Sequence, residues 1–272
     1  MRRFALLIAA LGGLFAAPAH ACGADIDCRL GDRIYRIYMP DTLKRPTGAL
    51  IYAHGYRGSA KGAMRSKPMR RLADELGVAL VATKSASEDW LIPGVPENPA
   101  ETGETEFRYY DALIERLVSY HGLDRDKLVV AGFSAGGMMV WNLACHRGQS
   151  FAGFIPVAGT FWAPVPESCP SGPVNLIHVH GLKDRIVPLA GRPIKASHQG
   201  DVPTALERAA KAGGFGDESD VEGTPTGLAC KRRENGAGKI LVFCTHPGKH
   251  ALKMVFLKTA WTMLQNAGAV PR

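Results

Sequence analysis

Leu128-Val129-Val130-Ala131-Gly132-Phe133-Ser134-Ala135-Gly136-Gly137-Met138 decides how this chain folds. Residues 128–133 are an apolar run of strand length. A turn built on Ser134 follows, and an apolar helix pattern opens at once behind it. Serine at a sharp strand-to-helix turn is lifted clear of the sheet, with its Oγ presented to substrate. The glycines on either side fit positions where a side chain would collide with the neighbouring strand or helix. Gly-x-Ser-x-Gly alone arises by chance, and a plain glycine-rich helix start is the competing reading. The strand before it and the helix after it favour a nucleophile.

Working outward, short apolar runs alternate with longer segments of helical period. Strands are expected at 33–39, 49–53, 78–83, 128–133, 154–158, 175–179 and 240–243. Helices are expected at 67–76, 105–120, 134–145, 204–212 and 252–265. Alternation of this kind implies a mostly parallel, doubly wound α/β sheet with helices on both faces. No repeat or low-complexity tract divides the chain, so one catalytic domain over 22–272 is expected.

A serine hydroxyl needs a base, and the base needs a carboxylate to orient it. Asp184 lies in His180-Gly181-Leu182-Lys183-Asp184, just past the end of a strand and on the rim where Ser134 projects. Asp201, Asp217 and Asp220 do not directly follow strands. For the base, Cys244-Thr245-His246-Pro247-Gly248-Lys249-His250 offers two histidines. His250 stands in the loop before the last helix and is preferred; His246 reads as structural, and His198 is a distant third. Two backbone N–H donors should receive the developing oxyanion. Ala135 follows the nucleophile, and Tyr56 follows Ile51-Tyr52-Ala53-His54-Gly55. His54 reads as a satisfied core histidine that shapes this turn. His178 and His180 could face one metal, yet no third ligand stands at useful spacing, so they too read as structural. Trp90 and Trp162 follow strands and are candidates for lining a substrate pocket, with partial burial in a loop as the alternative. Trp141 and Trp261 belong to helices and the core.

At 46% hydrophobic and 21% charged, the 272 residues exclude a disordered or fibrous chain. Residues 1–21 have the form of a signal peptide: Arg2 and Arg3, an apolar stretch over 4–17, and Ala19-His20-Ala21 as the cleavage site. That stretch is too short for a membrane span, and no later segment is apolar enough. Cys22 follows directly, but Ala19 and His20 fit a lipid-attachment signal poorly. A secreted or periplasmic protein without stable membrane insertion is expected. The formal charge of +8 becomes +6 once the two leader arginines are gone. Its basic residues are scattered, so no nucleic-acid partner is implied, and a monomer is expected. Six cysteines, Cys22, Cys28, Cys145, Cys169, Cys230 and Cys244, are an even set in an exported chain and point to disulfides. Six cysteines allow 15 connectivities; pairing of sequence neighbours is the simplest. It would place Cys230 and Cys244 across a hairpin with Glu234-Asn235-Gly236 at its tip. No Cys-x-x-Cys or tight Cys/His spacing suggests zinc.

His54-Gly55, Gly132-Phe133-Ser134-Ala135-Gly136-Gly137-Met138 and His180-Gly181-x-x-Asp184 together resemble polyhydroxybutyrate depolymerases and the related feruloyl and acetyl esterases. Cys22-Gly23, Cys28 and Pro156-Val157-Ala158-Gly159 extend the resemblance over nearly the whole mature chain. It implies an exported α/β-hydrolase that cleaves carboxylic esters without a metal or organic cofactor. The family's nucleophile, acid and base would fall on Ser134, Asp184 and His250. Departures are Tyr56 where these relatives often have Cys, and Gly248-Lys249-His250-Ala251-Leu252 where Gly-Gly-His-x-Trp is common. A separate polymer-binding domain is not expected within these 272 residues. A serine peptidase on the same fold and a catalytically inactive binding protein are the rival readings.

Overall fold

The computed structural model describes residues 22–41 and 48–270. The expected leader at 1–21 lies outside them. Six parallel strands form the middle of one large sheet: β4 (Ala79–Thr83), β3 (Ala49–Ala53), β5 (Leu128–Phe133), β6 (Gly153–Val157), β7 (Leu176–Gly181) and β12 (Ile240–His246), side by side in that order. Antiparallel strands close both edges. β2 (Arg33–Tyr38) pairs with β4 and carries β1 (Cys28–Leu30) outside it. On the far side β11 (Ala229–Glu234) pairs with β12 and carries β10 (Ser219–Asp220). A separate two-residue ribbon joins β8 (Pro193–Ile194) to β9 (Ser197–His198).

Side chains along a strand alternate between the two faces, so each central strand feeds two apolar layers. Ile51 and Val130 enter one layer and Leu50 and Val129 the other. The first layer is covered by α3 (Glu104–Ser119), α4 (Ala135–His146) and α5 (Val202–Ala212), with Phe107, Tyr110 and Leu113 of α3 fully buried. The second is covered by α1 (Ala60–Arg65), α2 (Lys67–Leu76) and α6 (Met254–Asn266), through Met64, Leu72, Phe256 and Trp261. This is the expected doubly wound sheet. Both faces being covered explains why β3 to β6 read as continuous apolar runs.

Three disulfides join sequence neighbours: Cys22–Cys28, Cys145–Cys169 and Cys230–Cys244. The last links directly opposed residues of β11 and β12. Because the six central strands run in one direction, their carboxyl ends share one edge. The loops after β3, β5, β7 and β12 therefore meet there, carrying His54 to Tyr56, Ser134, Asp184 and His250. No helix among the described residues is long and apolar enough to cross a membrane.

Candidate active site

Ser134 sits between β5 and α4 with φ 60° and ψ −123°, a left-handed-side conformation that costs a non-glycine residue energy. The turn holds because its neighbours leave no alternative. A Cβ on Gly132 would come within 2.2 Å of the Gly136 carbonyl oxygen, inside the helix. One on Gly136 would come within 2.0 Å of the Ala53 oxygen, inside β3. One on Gly137 would lie 2.7 Å from the Val157 oxygen. The glycines thus let α4 start directly on top of the sheet. As the first residue of that helix, Ala135 has no intrahelical acceptor for its N–H.

The loop after β3 packs against this turn; a Cβ on Gly55 would lie 3.5 Å from Ser134 Cβ. His54 locks the loop. Its Nδ1–H donates to the Gly55 carbonyl at 2.8 Å and its Nε2 accepts the Ser85 N–H at 3.2 Å. Burial holds the ring neutral by lowering its pKa to about 4; the Gly55 carbonyl opposes this and Lys84 reinforces it. Arg57 donates its N–H to the Glu88 carbonyl at 2.8 Å. Tyr56 keeps its ring half exposed, and its N–H has no acceptor among the described residues.

Trp90 departs from its expected place on the rim. It is fully buried, and its Nε1–H donates to the His54 carbonyl at 2.8 Å. The indole braces the His54–Tyr56 loop from below and has no surface left for a substrate. Trp162 is 7% exposed and bridges Gln199, so little of its ring is open either. Glu106 of α3 secures the Trp90 segment: its carboxylate accepts the Ala86 N–H at 2.9 Å and pairs with Arg33 at 2.7 Å. No motif marked this buried glutamate in the sequence.

Asp184 and His250 come together as expected. His250 Nδ1 lies 2.7 Å from Asp184 Oδ2, and Asp184 Oδ1 accepts the N–H groups of Ile186 at 2.8 Å and Val187 at 2.9 Å. Burial pushes the Asp184 carboxyl up, but the His250 hydrogen bond and the two backbone donors outweigh it, and its pKa falls below the ordinary aspartate value. The acid and base loops are also tied along their backbones: Leu182 N–H donates to His246 O at 2.8 Å and Lys183 N–H to Gly248 O at 2.9 Å. Gly181 permits that approach, since a Cβ there would stand 2.5 Å from the Lys249 oxygen. The His250 ring packs on Phe133, with centroids 4.6 Å apart, beside the nucleophile turn. Ser134 Oγ has no hydrogen-bond partner among the described residues. Serine–base contacts are often loose before substrate binds.

The other histidines have structural partners. His246 accepts the Gly248 N–H at 3.1 Å and stacks on Phe256. His178 and His180 point at each other, with Nε2 and Nδ1 2.9 Å apart, so the ring nitrogens a metal would need are engaged. Asp201 caps α5 by accepting the Thr204 N–H. Among the described residues, Cys22, Cys28 and His121 form the one cluster with metal-ligand spacing, and both sulfurs are in a disulfide.

The strand order, with the serine turn after β5 and with Asp184 and His250 past β7 and β12, is that of the α/β-hydrolase fold. Comparison with known proteins agrees: a family profile described as Phospholipase/Carboxylesterase matches residues 95–199. "Putative esterase NocK" of Nocardia uniformis is 30% identical over 162 residues, covering 58% of this chain and 47% of that protein. Feruloyl esterase C of Emericella nidulans is 28% identical over 151 residues, covering 53% of this chain and 54% of its own length. The chain thus spans about half the length of both. Among solved structures, an acetyl xylan esterase from Aspergillus awamori superposes with a TM-score of 0.58 at 15% identity, covering 88% of this chain and 98% of that one. The chain therefore has the α/β-hydrolase fold, and esterases are among the proteins it is similar to.

Proposed function

We propose that this protein is an exported serine ester hydrolase working through Ser134, His250 and Asp184. The observation that carries the reading is the 2.7 Å bond from His250 Nδ1 to a buried, doubly capped Asp184, set beside a serine held at positive φ. With Nδ1 committed to Asp184, His250 keeps Nε2 for the proton of Ser134 Oγ. Ser134 then adds to the ester carbonyl, and the N–H groups of Tyr56 and Ala135 receive the oxyanion. As the tetrahedral adduct collapses, His250 returns the proton to the leaving alcohol. Water, activated by the same imidazole, releases the acid from Ser134. Every proton passes through His250, and no metal or organic cofactor takes part.

Substrates of the feruloyl, acetyl or hydroxyalkanoate type fit this reading, which rests for them on the polyhydroxybutyrate depolymerase-like motifs and the esterase relatives. Export rests on the leader pattern at 1–21 and the three disulfides. The test is hydrolysis of p-nitrophenyl esters of graded acyl length by the wild type and Ser134→Ala, with fluorophosphonate labelling. Turnover and labelling that both vanish with Ser134 support the reading. A folded wild type no more active than Ser134→Ala overturns it in favour of a peptidase or a binding protein.

A further inference from the structure

The wall beside His250 is basic. Lys183, Arg185 and Lys249, all exposed, surround an open depression of 610 Å³ together with Leu182, Ile186 and the Asp184–His250 pair. None of the three cations has an acidic partner among the described residues, whereas Arg57 and Lys195, elsewhere on the surface, are paired with Glu88 and Glu97. The single acid in the depression is Asp184, whose side chain is fully buried and bonded to His250. Arg192 adds a further cation behind the loop, its Nε donating to the Ile186 carbonyl at 2.8 Å. Leu182 and Ile186 are 57% and 51% exposed, so both large apolar side chains are open to contact beside His250. The surface therefore offers apolar contact and an unneutralised positive field within one depression.

We propose that this depression selects esters whose alcohol part carries a carboxylate. The proposal rests on the ester-hydrolase reading above. His250 hands its proton to the leaving oxygen, so the alcohol part passes on the His250 side of the site, where Lys183, Arg185 and Lys249 stand. Tyr56 and Ala135, whose N–H groups receive the oxyanion in that reading, follow β3 and β5, whereas these cations follow β7 and β12, at other positions in the sheet. A carboxylate a few bonds from the ester oxygen meets the positive side chains while its carbon frame lies on Leu182 and Ile186. An unpaired cation cluster of this kind attracts an anionic substrate in a salt-dependent way. The chemistry is unchanged: water supplies OH to the acyl carbon and the alcohol leaves with a proton, its carboxylate intact.

The experiment compares kcat/KM for 3-acetoxybenzoate and 3-acetoxybenzamide, which share the acetyl group and the ring and differ by one charge on the alcohol side. At low ionic strength the carboxylate is expected to be preferred by about tenfold, falling to within about twofold at 1 M salt. In a Lys183→Gln/Arg185→Gln/Lys249→Gln variant the preference should collapse to about one, with Lys183→Ala/Arg185→Ala/Lys249→Ala as a second variant should the first fold poorly. A wild-type ratio of one or below, or a preference that both variants keep, overturns the proposal. So does an equal preference for a carboxylate on the acyl side, read from 4-nitrophenyl hydrogen succinate against 4-nitrophenyl butyrate. Hydrolysis of 4-nitrophenyl butyrate with neither acetoxy ester turned over counts against this inference alone. Loss of all ester turnover, judged against Ser134→Ala, removes the ester-hydrolase reading and this inference with it.

Discussion

His180 Nε2 lies 3.6 Å from Asp184 Oδ2, the same oxygen that meets His250 Nδ1 at 2.7 Å. Behind His180 runs a buried chain with one consistent order of protons. Trp141 Nε1 can only donate, so His178 Nδ1, 3.1 Å away, accepts. His178 Nε2 then donates to His180 Nδ1, and His180 Nε2–H points at the Val187 carbonyl, 2.7 Å away. Val187 in turn gives its own N–H to Asp184. The acid loop is thus held from the core side by a neutral imidazole of fixed tautomer. Burial keeps both rings neutral by lowering their pKa values.

Loss of this donor should show in catalysis before it shows in binding. His180→Leu is expected to lower kcat about tenfold or more with KM little changed, because Asp184 loses a supporting turn contact. The acid limb of the pH–rate profile should move to higher pH, because Val187, once its carbonyl loses the His180 donor, holds its N–H less firmly on the Asp184 carboxylate. His180→Gln, which keeps a donor, should recover most of both. Equal losses in the two variants, with an unchanged pH profile, would reduce His180 to a packing residue.

The seat of the nucleophile turn gives a sharper structural expectation. Gly136→Ala would put a methyl within 2.0 Å of the Ala53 oxygen, and neither β3 nor α4 can yield without opening the sheet. A loss of more than about 4 kcal/mol, or no soluble protein, is expected. Gly122 is the control: it has φ +68° but nothing within 4 Å of an added Cβ. Gly122→Ala should cost only the conformational term, roughly 1 kcal/mol. Denaturant melts of the two variants decide it, and similar losses would refute the steric account.

The same contacts explain which parts of the molecule were legible in the sequence. The β5–Ser134–α4 segment was readable because its apolar run, its glycines and its helix start obey purely local rules. The pairing of Asp184 with His250 was readable because a parallel sheet brings strand ends to one edge, so position after a strand carried the information. β12 runs on past Phe243 to His246 because Thr245 and His246 pair with His180 and Gly181, a tertiary contact that polar residues do not advertise. The six-residue α1 and the short β1 and β10 are too brief to show a period. Trp90 was not readable as buried, since its burial comes from packing on His54 and Tyr110 and from a hydrogen bond to a residue 36 positions away in sequence, all tertiary contacts.

Asp89, in the segment that braces the His54–Tyr56 loop, carries an electrostatic cost. Burial pushes its carboxyl up to about 6, with the Trp90 N–H at 2.8 Å pulling the other way and Glu97 and Glu106 adding repulsion. The unfolded chain ionises near the ordinary aspartate value, so it releases the proton first as pH rises. Stability should therefore fall between about pH 4 and pH 6 and stay lower above that range. Asp89→Asn keeps an acceptor for Trp90 and removes the charge. It should stabilise the protein by about 1–3 kcal/mol at pH 8 and by little at pH 4. Thermal melts at the two pH values test this, and a gain of equal size at both would contradict it.

His54 sets the opposite slope. Its folded pKa of about 4 lies below the ordinary histidine value of 6.5, so the unfolded state binds the proton first as pH falls. The stability of the neutral, doubly bonded ring is complete above pH 6.5 and is lost progressively down to about pH 4, by roughly 3 kcal/mol. His178 and His180 act in the same direction. His54→Gln keeps a donor for the Gly55 carbonyl and an acceptor for the Ser85 N–H while removing the titration. At pH 7 it should be less stable than the wild type by about 1–2 kcal/mol, because it packs less well against Trp90, whose ring lies 5.0 Å from that of His54. At pH 4.5 the gap should close or reverse. Urea melts of both proteins across pH 4–7 measure the two slopes. Parallel slopes would show that protonation of His54 does not drive acid unfolding, and the loop that offers the Tyr56 N–H would then have to be acid-stable for another reason.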